Sequence, residues 1–212
     1  MKLYSYWRST TSYRVRAALN LKGLAYDIVP VDLVAGDQRS TDYAALNPGL
    51  GVPTLVLDDG TVLTQSLAIL DYLDAIATPR LLPEDPVARA KVMAAAHAIA
   101  LDVHPVNNLR VVQHVRTKHG ASAEDAQAWM QHWMHAGFAA TEAMVSDDTP
   151  FAFGNAPDLA DICITAQLYN AHRWGVDLTA YPKLQRVEAA CLALPEITAA
   201  HPDQQPDAKV TT

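Results

Sequence analysis

The stretch PTLVLDDGTVLTQSLAILDYLDAI, residues 53–76, decides the fold. Two apolar runs flank Asp58-Asp59-Gly60, the signal of a hairpin turn. Leu67, Leu70, Leu73 and Ile76 then recur at a spacing of three, which predicts a helix opened by Ser66 as its cap. A hairpin followed at once by an amphipathic helix closes a sheet and covers one of its faces.

Working back from Pro53, STDYAALNP predicts a short helix stopped by Pro48. YDIVPV predicts a strand whose proline suits a sheet edge or strand end. Residues 12–22 read as a helix ended by Gly23, and KLYSY as a first strand. The order β-α-β-α-β-β-α describes a four-stranded mixed sheet of the thioredoxin type, placed in a domain of residues 1–80.

Working forward, ATPRLLPEDPVAR reads as a linker that tucks in Leu81 and Leu82. Strand signals are scarce from there, and residues 86–201 read as an all-helical domain. Pro105 is expected to kink its first long helix. A second runs from Ala123 to Val145, with Trp129 and Trp133 assigned to core or interface. From residue 202 to 212 the chain is polar and Pro-rich, and a disordered tail is expected.

Composition narrows the function. The 212 residues are 50% hydrophobic and carry a net charge of -7 without a basic run, which argues against nucleic acid as a main partner. Cys163 and Cys191 lie in apolar helical patterns and read as reduced, buried thiols. MKLYSYW is too short and too aromatic for a signal peptide, and no apolar run is long enough to span a membrane. A soluble, cytoplasmic protein is expected. The histidine pairs 132/135 and 114/119 lack a third ligand at useful spacing, so no metal is expected.

RSTTSYRVRAAL, residues 8–19, places Ser9, Thr10, Thr11 and Ser12 where a strand turns into a helix. Capping by Thr11 or Ser12 is one reading. The other is a site for an anion or thiolate, because free N–H groups meet there and a hydroxyl can lower a thiol's pKa. Arg14 and Arg16 are given field or surface roles. Val52-Pro53 at a strand start, and Gln65-Ser66 at a helix start, suit a peptide and a carboxylate respectively. Asp102, His104, Asn107, Asn108 and Arg110 form a polar stretch near the Pro105 kink, and Arg110 suits a substrate carboxylate. Asp158 and Asp161 read as a capping box.

The stretches RSTTSYRVRAALNLKG, ALNPGLGVPTLVLDDGTVLTQSLAILDYLD, DVHPVNNLRV and DLADICITAQLYNAHRWGVDLTAYP resemble the zeta class of the glutathione transferase superfamily over about residues 1 to 200. DVHPVNNLRV is the one most particular to the class. The resemblance implies a thioredoxin-like domain followed by an all-helical one, a homodimer with its active site in the interdomain cleft, and glutathione as cofactor. It implies a cis-trans isomerase that turns a maleyl keto acid into its fumaryl isomer. A glutathione transferase acting on α-halo acids, and a non-catalytic binding protein, are the alternatives.

The family's first-helix motif usually reads Ser-Ser-Cys-Ser. Ser9 therefore takes the catalytic serine's place, and Thr11 stands where the cysteine would be. The resemblance implies glutathione contacts at Ser9, Thr11, Val52, a cis Pro53, Gln65 and Ser66. Asp102, His104 and Asn108 join them from the polar stretch. Arg8, Arg110 and Arg173 are implied as clamps for substrate carboxylates, and Ser9, Thr11, Arg8 and Arg110 are counted as the catalytic residues.

Overall fold

The computed structural model describes residues 1–209. Contacts divide the chain into two compact units, residues 1–80 with Leu192 onward, and Leu81–Cys191.

The first unit is built on strands β1 (Lys2–Ser5), β2 (Asp27–Pro30), β3 (Thr54–Val56) and β4 (Val62–Thr64), in the order β2-β1-β3-β4. β1 runs parallel to β2 and antiparallel to β3, and β3 is antiparallel to β4. Pro30 ends the edge strand, where its missing N–H breaks no ladder. At the hairpin tip, Gly60 adopts φ 87, a left-handed conformation that only glycine enters freely. Leu3 and Leu55 face each other across β1 and β3 and are fully buried.

Helix α1 spans Thr10–Leu21, two residues earlier than the pattern suggested, because Ser9 is the cap rather than Thr11 or Ser12. Helix α2 (Thr41–Leu46) is capped by Ser40. Helix α3 (Ser66–Ile76) buries Ile69, Leu70 and Leu73, while Ile76 turns outward. Each such aliphatic burial contributes roughly 1.5–3 kcal/mol. The expected Ser66 cap is not formed: α3 is preceded by Gln65 at φ 69, whose side chain bonds no backbone amide. The buried Lys22 Nζ donates to Asp74 Oδ1 and to the carbonyls of Ala77 and Pro79, closing the C-terminal end of α3.

The tail expectation needs correction over residues 202–209. Helix α10 (Pro195–Ala200) packs on α1, a short turn follows at Pro202–Gln204, and Pro202 and Gln205 are buried. Residues 210–212 lie outside the described part. Arg14 and Arg16 are likewise not surface groups, being 1% and 0% exposed. Arg16 donates to the Ala200 carbonyl, Ser5 Oγ and the Trp7 carbonyl at 2.9–3.0 Å. A guanidinium has five N–H donors, and neutral oxygens on three segments engage this one.

The second unit is helical. Helix α4 (Pro86–His97) continues into a π-helical turn, Ala98–Val103, then α5 (His104–Asn107) and α6 (Leu109–His119). The expected break at Pro105 is thus spread over a wider turn before the proline. Such turns are often found at functional sites. Helix α7 (Ala123–Met144) buries Ala126, Met130, Met134, Phe138 and Thr141. Trp129 and Trp133 lie off that face and outside the core, Trp133 being exposed. Helix α8 (Leu159–Arg173) is the buried centre of the unit, and α9 (Pro182–Leu192) closes it. Both halves of the Asp158–Asp161 capping box are formed.

Candidate active site

In the first unit, the head of α1 and the loop before β3 come together. Ser9 Oγ accepts the Ser12 N–H at 3.2 Å and lies 2.8 Å from Thr11 Oγ1. Thr11 Oγ1 donates to the Val52 carbonyl at 2.8 Å. One helix start is thereby tied to a loop 41 residues further along. The Val52–Pro53 peptide is cis, and Pro53 is buried.

The chain leading to Val52 is braced from below. Asn47 Nδ2 donates to the Gly51 carbonyl at 2.8 Å and to Thr54 Oγ1 at 2.9 Å. Tyr43 OH donates to the same Gly51 carbonyl and lies 3.0 Å from Thr54 Oγ1. Val52 is therefore held between fixed neighbours, while its own N–H meets no acceptor among the described residues. A donor of this kind suits an extended peptide laid beside the loop.

Ser66 opens α3 and is buried, with Arg14 Nη1 donating to its Oγ at 3.4 Å. Gln65 is exposed and has positive φ, an uncommon state for a residue with a side chain. Arg14 was not singled out for this site, because an arginine inside a helix pattern normally signals a solvated face. Arg8 is half-buried, its guanidinium 5.2 Å from the Trp7 ring and 6.0 Å from the Tyr6 ring. Stacking on these faces fixes the charge beside the α1 head. The Trp7 N–H is held by Asp207 Oδ2 at 3.0 Å, a partner no sequence pattern announced.

The second unit carries the other candidates. Asp102 lies exposed on the π-helical turn, and His104 opens α5. Asn108 caps α6, its Oδ1 accepting the Val111 N–H at 3.2 Å, which leaves its amide nitrogen to donate elsewhere. Neighbouring Asn107 is 5% exposed, and neither of its amide atoms has a hydrogen bond among the described residues. Arg110 sits exposed in the first turn of α6. Arg173, at the end of α8, donates to Asn170 Oδ1 at 3.2 Å and lies over Trp174. Burial pushes the Asp161 carboxyl up to about 8, with the Asp158 charge adding to the effect, and this pair serves the helix start.

The description "Glutathione S-transferase, N-terminal domain" matches residues 8–76. The maleylacetoacetate isomerase of Pseudomonas aeruginosa is 44% identical over 210 residues, covering 98% of each chain. A solved holo structure of a maleylpyruvate isomerase, a bacterial zeta-class glutathione S-transferase, superposes with a TM-score of 0.96. It is 41% identical and covers 99% of this chain and 100% of its own. The maleylacetoacetate isomerase of Anaeromyxobacter dehalogenans, solved with dicarboxyethyl glutathione and citrate in its active site, superposes with a TM-score of 0.88. It is 43% identical and covers 99% of this chain and 94% of its own.

Proposed function

The chain belongs to the zeta class of glutathione transferases, and on that footing we propose that it is a glutathione-dependent cis-trans isomerase of a maleyl keto acid. The substrate class is the one that holds maleylpyruvate and maleylacetoacetate. The observation that carries the reading is the Ser9 hydroxyl at the head of α1, tied through Thr11 to Val52. A thiol donor and its peptide backbone need those two groups side by side.

The residues present fit glutathione. The free Val52 N–H is a partner for the peptide's backbone. The start of α3, with Ser66 and Gln65 and with Arg14 behind Ser66, suits the γ-glutamyl carboxylate. Asp102, His104 and Asn108 are assigned to glutathione from the second unit. When bound, glutathione supplies a thiolate whose reversible addition to the maleyl double bond leaves a single bond free to rotate.

Ser9 donates to the sulfur and keeps it ionised, helped by the positive end of the α1 dipole. Arg8, Arg110 and Arg173 hold the substrate's two carboxylates, so the double bond meets the sulfur in one orientation. The same positive groups stabilise the enolate charge that develops at the keto end. No net atoms are gained or lost between the cis acid and its trans isomer.

The test is the ultraviolet trace of maleylpyruvate and of maleylacetoacetate mixed with the protein, with and without glutathione. Conversion only with glutathione is expected. Equal rates in both conditions would sink the reading, and the ratio of the two rates assigns the substrate. Among the described residues no helix is long and apolar enough to cross a membrane, and we place the enzyme in the cytoplasm. A homodimer is proposed, to be checked by light scattering.

A further inference from the structure

We propose that Thr11 is a positioning residue that stores the Ser9 proton and locks the Val52 carbonyl, rather than a second donor to the sulfur. The inference rests on the glutathione reading above and deepens it.

The argument is a count of protons. A hydroxyl has one proton to give. The Thr11 proton goes to the Val52 carbonyl, which can only accept. The 2.8 Å contact between Ser9 and Thr11 must then be made with the Ser9 proton. Ser9 Oγ is also an acceptor, receiving the Ser12 N–H. The order is therefore fixed from end to end: Ser12 amide to Ser9, Ser9 to Thr11, Thr11 to Val52.

Two consequences of opposite sign follow. In the free site the proton of Ser9 already has an acceptor, so a thiolate must win it from Thr11. A charge-assisted bond to sulfur wins that exchange, but its net value is reduced by the bond given up. At the other end, Thr11 holds the Val52 carbonyl and so pins Val52 beside the α1 head, while the Val52 N–H is aimed by the Gly51 carbonyl of its own peptide plane, which Asn47 and Tyr43 hold. Thr11 thus costs thiolate stabilisation and gains peptide binding. The usual cysteine of the family motif, a weak donor, would fill neither role as firmly.

Thr11→Val keeps the branched shape and removes the hydroxyl, and Thr11→Ser restores the hydroxyl without the methyl. Two readouts in the binary complex separate the roles: the affinity for S-methylglutathione, which has no thiol, and the pKa of bound glutathione read from thiolate absorbance. In Thr11→Val, S-methylglutathione affinity is expected to fall about two- to tenfold, the range of one net hydrogen bond. The thiol pKa should fall by about half to one unit, since Ser9 is released to the sulfur. Thr11→Ser should sit near the wild type in both. A thiol pKa that rises in Thr11→Val would make Thr11 itself the sulfur's donor and overturn the proposal. Unchanged S-methylglutathione affinity would overturn the lock. Failure of the wild-type protein to bind glutathione at all is the distinct result that would fell the functional reading beneath it.

Discussion

Asp207 Oδ2 accepts the backbone proton of Trp7 at 3.0 Å, joining residues 200 positions apart. Trp7 immediately precedes Arg8 and Ser9, so this carboxylate steadies the chain that delivers both. Nearby, Lys209 pairs with Asp32 at 2.7 Å, and its ammonium holds the Asp32 carboxyl below the usual range. Asp207→Ala is expected to lower the stability of the first unit by about 1–2 kcal/mol and to reduce kcat/KM. Asp207→Asn, which keeps an acceptor, should behave nearly as wild type. Thermal unfolding and steady-state rates check both, and an alanine variant that matches wild type in each would remove Asp207 from this role.

Ser9 caps α1 and, in the proposed function, donates to the sulfur, and two variants together separate these duties. As the α1 cap it is worth about 1 kcal/mol, and as the sulfur's donor about a hundredfold in turnover. Ser9→Ala should show both losses. Ser40→Ala removes a comparable cap from α2 and should lose stability with turnover intact. If the two variants lost turnover equally, the effect would belong to helix capping alone.

Gly137 on α7 faces Val103 on the π-helical turn so closely that an added Cβ would sit 1.9 Å from Val103 Cγ2. Gly137→Ala is therefore expected to destabilise the second unit by about 1–3 kcal/mol. Val103→Ala in the same chain should recover much of that loss, since the clash is with that side chain. A double variant no more stable than the single would place the cause elsewhere.

Asp161 gives stability a pH slope. Its carboxyl is raised by burial from an ordinary 3.8 to about 8, although it accepts the N–H groups of Ala152 and Asp158. Between about pH 4 and 8 the unfolded chain has released this proton while the folded chain keeps it. The group's contribution thus falls with rising pH across that window and levels above it. Melting temperatures of the wild type and Asp161→Asn, followed from pH 4 to 9, should converge toward the alkaline end. A constant gap would refute the assignment.

The hairpin was legible from Asp-Asp-Gly between apolar runs, and the two helix starts were legible to within two residues from hydroxyls before a helical period, though the caps are Ser9 and Gln65 rather than the residues expected. Ser9, Val52 and Ser66 stood out by their places at a helix or strand start, and the resemblance implied the ligand each would meet. Arg16 was not legible. Its partners are Ser5 and two backbone carbonyls, and a carbonyl has no letter in a sequence. The residues from 202 to 209 misled for the same reason. They look polar and Pro-rich, yet Gln205 donates to the carbonyls of Ala199 and His201, and Asp207 accepts the Trp7 N–H. The π-helical turn before Pro105 depends on hydrogen-bond register rather than composition, and Gln65 in place of Ser66 before α3 depends on one backbone angle.

The first unit is made from two separated lengths of chain, residues 1–80 and those from Leu192 on, whereas the second is continuous. Synthesis runs from the first residue to the last. The helical unit therefore has every residue it needs once Cys191 has left the ribosome. The sheet unit lacks the Ala200 carbonyl that Arg16 reaches and the Asp207 carboxylate that holds the Trp7 amide until those residues emerge. For this protein the customary order of maturation is reversed: the part made first is completed last.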